Sequence, residues 1–122
     1  MKFYKCSKCG KIITLLNKTS IPTLCCGEEM AEIIAGTVEA SREKHIPKYL
    51  ISGDVVTVEV GSVIHPMSEE HFIEFIVVES ESGYQIKKLK PSDAPKAEFI
   101  LSSGNDIVAV YAYCNLHGLW KA

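Results

Sequence analysis

From residue 37 onward, apolar and polar residues alternate in short runs separated by turn-forming residues. Residues 54–60 place Val56, Val58 and Val60 on one face of an extended chain and Thr57 and Glu59 on the other. That two-residue period belongs to a half-buried strand. Residues 71–79 alternate in the same way, with His71, Ile73, Phe75 and Val77 on one side. Residues 83–90, 97–101 and 106–113 follow as further predicted strands. Gly53, Gly61, Ser82-Gly83, Pro91-Ser92-Asp93 and Ser103-Gly104-Asn105 mark the turns between them. In the last run, Val108, Val110 and Ala112 share a side with Cys114, so that sulfur is expected to face the core. Gly118 then helps the chain turn and bring His117 back toward the same point. No segment has a helical period. Strands this short and regularly spaced predict a mainly β chain, with an antiparallel β-sandwich of immunoglobulin-like type.

The first 36 residues read differently. Residues 12–16 predict a strand, and the apolar run 31–35 predicts another that leads out of this segment. The expected organisation is therefore a small head at 1–36 and a β-rich body at 37–122, with the boundary near Gly36. The whole chain has 122 residues, enough for one ordinary domain or a small domain joined to a medium one.

Charge narrows the function. Thirteen Lys and Arg against fifteen Asp and Glu leave a net charge of −2, which argues against a nucleic-acid binder held by bulk charge. No apolar run is long enough to span a bilayer, so no membrane partner is expected. The start, Met1-Lys2-Phe3-Tyr4-Lys5-Cys6, lacks the apolar core of a signal peptide, and a cytoplasmic location is the expectation. Five cysteines do not suit a closed disulfide framework. In a reducing compartment they read as metal ligands or redox groups.

Four of the five cysteines lie in the head. Cys6-Ser7-Lys8-Cys9-Gly10 is a CxxC knuckle, whose glycine allows a tight turn with amides aimed at sulfur. Cys25-Cys26-Gly27 follows after fifteen intervening residues. Four thiolates in so short a segment point to one tetrahedral site for zinc or iron. Neighbouring residues of a strand face opposite ways, so Cys25 and Cys26 reach one metal only through an irregular backbone. This CxxC…CC pattern resembles desulforedoxin and the N-terminal domain of desulfoferrodoxin, which bind iron with it. The resemblance implies a rubredoxin/desulforedoxin-like metal-binding domain. So small a segment buries little core, and a metal would supply much of its folding energy.

All four histidines lie in the body, at 45, 65, 71 and 117. Glu43-Lys44-His45-Ile46-Pro47 reads as a charged loop ending in proline. His65-Pro66-Met67 opens a loop that closes at His71, and His117 lies three residues after Cys114. A buried sulfur beside an imidazole is either a metal-ligand arrangement or a Cys/His nucleophile pair. Four histidines at loop–strand junctions, near the one cysteine outside the head, favour a metal, and imidazole suits iron, zinc and copper.

Taken together, EKHIP, HPM with a second histidine six residues after the first, and CNLHGLW resemble the motifs of the superoxide reductase family. With the head cysteines, the resemblance is to its two-iron form, desulfoferrodoxin, and it covers essentially the whole chain. It implies two irons per chain, one held by Cys6, Cys9, Cys25 and Cys26. The second would have His45, His65, His71 and His117 as equatorial ligands and Cys114 as the axial one. Glu43 is implied as a sixth ligand when this iron is oxidised, and Lys44 stands beside the open face. The activity implied is one-electron reduction of superoxide to hydrogen peroxide, with rubredoxin as donor, in a homodimer. The chain departs from the family at Phe75, where tryptophan is frequent, but an aromatic residue is kept. Two rival readings remain at the level of sequence: a non-catalytic two-iron electron carrier, and a zinc-binding interaction module.

Overall fold

The computed structural model describes residues 1–102 and 105–122, so Ser103 and Gly104 of one predicted turn lie outside the described residues. The chain divides into two compact units, Met1–Ile34 and Ala35–Ala122. In the first, β1 (Phe3–Lys5), β2 (Ile12–Thr14) and β5 (Ala31–Ile33) form an antiparallel sheet in the order β2-β1-β5. A two-stranded ladder pairs β3 (Leu24–Cys25) with β4 (Glu28–Glu29). Phe3, Cys6 and Met30 are its buried apolar residues among those described. A core of that size is too small to hold a fold of this length by burial alone.

The second unit begins with a single helical turn, α1 (Arg42–His45), where the sequence reads as a loop. The helix stops there because Ile46 precedes Pro47, whose ring disfavours the helical region for the residue before it. Ile46 accordingly sits at φ −68°, ψ 118°. The strands that follow are β6 (Pro47–Ser52), β7 (Val55–Val60), β8 (Ile73–Ser80), β9 (Gly83–Lys88), β10 (Lys96–Ile100), β11 (Ile107–Cys114) and β12 (Gly118–Lys121). They form two antiparallel sheets, β10-β7-β6 and β12-β11-β8-β9. Their inner faces share one core. Val56, Val58, Val60, Ala97 and Phe99 come from the first sheet, and Ile73, Ile76, Val78, Val110, Ala112 and Cys114 from the second. This is a two-layer sandwich. Each fully buried aliphatic side chain stabilises it by roughly 1.5–3 kcal/mol.

Two irregularities in the β8–β11 ladder correct the expected faces. Cys114 pairs with Ile73 although Tyr113 pairs with Phe75, so Glu74 is an extra residue on β8. Beyond it the parity flips. Ile73, Ile76 and Val78 enter the core, while Phe75 stacks on Tyr113 outside the core cluster, with ring centroids 5.2 Å apart. A second shift between Ile107 and Ala109 leaves Val108 unpaired and 59% exposed, so it does not share the side of Cys114. A bulge inserts one residue and reverses alternation beyond it, which a two-residue period read straight through cannot detect.

Candidate metal centres

The body cluster is assembled from four places in the sandwich. His45 ends α1, His65 follows β7, His71 precedes β8, and Cys114 and His117 flank the turn from β11 to β12. The side-chain donor atoms of His45, His65, His71 and Cys114 lie within 4.8 Å of one another. His117 joins them, with Nδ1 3.1 Å from Nε2 of His45 and 3.9 Å from the Cys114 sulfur. Gly118 makes that turn possible at φ +76°, a conformation side chains disfavour.

The hydrogen bonds identify which nitrogens are free to bind. His45 donates from Nδ1 to the Ser41 carbonyl at 2.7 Å, and His65 donates from Nδ1 to the Pro66 carbonyl at 2.6 Å. A carbonyl only accepts, so these nitrogens carry the proton and Nε2 presents a lone pair in the neutral ring. Burial keeps the rings neutral. It pushes the His65 pKa down to about 4, and it lowers those of His45 and His71, against the pull of the carbonyl acceptors at His45 and His65. Yet Nε2 of His65 stands 3.2 Å from Nε2 of His45, lone pair to lone pair. Nε2 of His71 is buried without a hydrogen-bond partner.

Such convergence is unfavourable in the absence of a cation and favourable around one. Two nitrogens about 2.1 Å from one metal, at right angles to each other, stand about 3 Å apart. The observed 3.1 and 3.2 Å therefore fit edges of one coordination sphere. Cys114 is fully buried, and burial raises its thiol pKa while the amides of His117 and Leu116 oppose that rise by donating to sulfur. A bound cation would complete its ionisation.

The head cluster fits a metal equally well. The sulfurs of Cys6, Cys9, Cys25 and Cys26 lie within 4.8 Å of one another, with Cys9 to Cys25 at 3.6 Å and Cys25 to Cys26 at 4.0 Å. Sulfurs about 2.3 Å from a tetrahedral metal stand about 3.8 Å apart. The irregular backbone expected at the adjacent pair is present, since Cys26 adopts φ +53°, a left-handed conformation rare outside glycine. Amides of Cys9 and Lys8 lower the Cys6 thiol to about 6, whereas hydrogen bonding to the Cys9 and Cys6 sulfurs pushes Cys25 up to about 12. Four sulfurs this close ionise together only around a cation. Cys25→Ser is expected to remove the head iron and leave the body centre unchanged, halving iron per chain in metal analysis. Loss from both centres would show that they are not independent.

Glu43 and Lys44 lie on α1 with exposed side chains. The Glu43 backbone ties α1 to the turn before His65, because the Glu43 carbonyl accepts from the Val63 amide at 2.9 Å and the Ser62 hydroxyl at 3.3 Å. The Lys44 charge also helps, after burial, to hold His45 and His71 neutral. Met67 packs against the core, and its sulfur accepts from the Ile73 amide at 3.3 Å. Trp120, the last residue of the CNLHGLW motif, is buried, its ring lies 5.0 Å from that of His45 and its Nε1 donates to the His117 carbonyl at 3.0 Å. Asn115 and Gly61 also contact the site's framework, and only their places within a motif or a turn marked them in advance.

A mainly β chain with a four-cysteine centre and a separate histidine–cysteine centre is a two-centre non-haem iron protein. The desulfoferrodoxin family model matches residues 37–122, and the chain belongs to that family. Its two clusters match the family's two iron sites. It is 43% identical over 122 residues to a desulfoferrodoxin homolog of Archaeoglobus fulgidus, covering 100% of this chain and 96% of the relative. It is 43% identical over 121 residues to the desulfoferrodoxin of Nitratidesulfovibrio vulgaris, covering 99% and 94%. Among solved structures, the superoxide reductase from Treponema pallidum superposes with a TM-score of 0.84 at 33% identity, covering 99% of this chain and 97% of that one. Among the described residues no helix is long and apolar enough to cross a membrane.

Proposed function

We propose that this chain is a cytoplasmic superoxide reductase, in which residues 37–122 carry turnover and residues 1–36 hold the accessory iron. The observation that carries the reading is the convergence of neutral imidazole lone pairs and one buried sulfur in a single cluster. Iron bound there would supply a one-electron couple. His45, His65, His71 and His117 would hold it through ring nitrogens, and Cys114 would contribute the single negative charge. The site is then cationic inside a chain of net charge −2, so it attracts a small anion locally. Superoxide gains one electron and takes two protons from solvent to leave as hydrogen peroxide. An external donor such as rubredoxin replaces the electron, and the protein works as a homodimer. Azide titration of the oxidised protein tests this reading. An anion-dependent shift of the thiolate-to-iron band is expected, whereas an inert, saturated centre would favour a pure electron carrier.

Lys44 and Glu43 take opposite roles. Lys44 steers the anion, so Lys44→Ala should slow the second-order encounter by about tenfold at low salt and flatten its ionic-strength dependence. Glu43 would be a ligand of the oxidised iron, so Glu43→Ala should leave the encounter fast and alter the ferric spectrum. Pulse radiolysis across a salt series separates them. Equal salt slopes for wild type and Lys44→Ala would remove the steering role, and an unchanged ferric spectrum in Glu43→Ala would remove the ligand role.

A further inference from the structure

His71 differs from its neighbours. His45 and His65 are each aimed by an Nδ1 hydrogen bond to a backbone carbonyl, while His71 has a buried Nε2 with no hydrogen-bond partner, belongs to the same cluster and is only half-buried overall. The backbone on both sides of His71 is instead gripped by one residue. Asn115 donates from Nδ2 to the Glu70 carbonyl at 3.0 Å, and its Oδ1 accepts from the Phe72 amide at 2.9 Å. Its own amide donates to the Phe72 carbonyl at 3.2 Å. Three bonds from one residue thus span 70–72, with a contact on each flank of His71. Within the same segment, the Ser68 amide and hydroxyl donate to the His71 carbonyl at 2.9 and 3.3 Å, closing a small turn.

The position of Asn115 gives this grip its consequence. It immediately follows Cys114, beyond the register shift at which Cys114 pairs with Ile73. Any displacement of the segment bearing His71 relative to the sulfur therefore has to break the Asn115 bonds. Only a side chain with both a donor and an acceptor at its tip can bond a carbonyl and an amide flanking one residue. Alanine offers neither, and aspartate keeps only the acceptor.

We propose that Asn115 is a positioning residue, a backbone clamp that sets the distance of His71 from Cys114 and so fixes the metal geometry of the body centre. This rests on the reading of His71 as an iron ligand. The clamp does the work that a carbonyl does for His45 and His65. Outer partners of metal ligands typically change affinity ten- to hundredfold when removed.

The test compares full-length, iron-loaded wild type with Asn115→Ala, Asn115→Asp and His71→Ala. Two signals are read: loss of each iron to ferrozine, with the head iron as internal control, and the ferric electron paramagnetic resonance spectrum of the body centre. Asn115→Ala should lose body iron roughly ten- to hundredfold faster, keep head iron at the wild-type rate and change the rhombicity of the ferric signal. Asn115→Asp should fall between. If the alanine variant does not fold, Asn115→Asp carries the comparison, and an altered signal in a folded protein is expected. Wild-type iron loss and an unchanged signal in Asn115→Ala, with His71→Ala perturbed, would overturn the clamp and leave the ligand standing. An unperturbed His71→Ala would overturn the ligand reading and the clamp with it. Equal acceleration at both irons would mark general destabilisation and also overturn the clamp.

Discussion

Cys114→Ser is expected to lose superoxide reduction even where iron remains in the body centre. Four imidazoles remain, and the hydroxyl is small enough to fit where the sulfur is fully buried. What disappears is a thiolate whose electron density favours reduction of the bound substrate, the effect an axial cysteine exerts in haem enzymes. The amides of Leu116 and His117 now donate to that sulfur. They would be left facing a neutral oxygen that is a poor ligand. Removing an outer partner of a ligand changes metal sites by about 10–100-fold, so loss of the ligand itself should slow turnover by on the order of 100-fold or more. Rapid mixing of the iron-loaded variant with superoxide checks this, alongside disappearance of the thiolate-to-iron band. Near-native turnover with iron in place would refute a mechanism that depends on sulfur.

Gly61→Ala should damage the same centre from outside it. A Cβ at this position would collide with the Glu43 carbonyl oxygen and reach 2.8 Å from the Lys44 carbonyl carbon and 3.0 Å from that of Glu43. These are backbone atoms of α1, directly before His45, and cannot rotate away as a side-chain tip can. Replacing glycine at an unstrained, open site gains about 0.4–1 kcal/mol through the unfolded state. Overpacking costs roughly 1–3 kcal/mol, so the clash wins. The helix must move, and His45 moves with it. A lower melting temperature in the metal-free protein and loss of body iron are both expected, with head iron retained. Wild-type melting and full iron loading would show that α1 accommodates the methyl group without disturbing His45.

Much of this site can be read from residue types and spacing, because the chemistry is local to short motifs. CxxC…CC names a four-sulfur centre, and the four histidines fall at strand junctions where side chains from separate strands can meet. The alternation at Val56, Val58 and Val60 is faithful, since β7 pairs in register with both neighbours. Alternation fails at Val108 and Phe75, where single-residue insertions flip the faces and leave no mark in hydropathy. Strand β6 leaves no such pattern either, because an edge strand with Tyr49, Leu50 and Ile51 all exposed shows no buried periodicity. The carbonyls of Ser41 and Pro66 that orient His45 and His65 are invisible to any reading of side chains. Backbone acceptors exist at every residue, and only the fold selects two of them.

Peroxide yield tests the central claim most directly. Reduced, iron-loaded protein is mixed anaerobically with a substoichiometric pulse of superoxide, and hydrogen peroxide and dioxygen are counted. A reductase forms one hydrogen peroxide per superoxide consumed, oxidises one body iron for each, and releases no dioxygen. One hydrogen peroxide and one dioxygen for every two superoxide ions, with the iron still reduced, would make the protein a dismutase. No reaction at the body centre would make it an electron carrier, and either result would contradict the account.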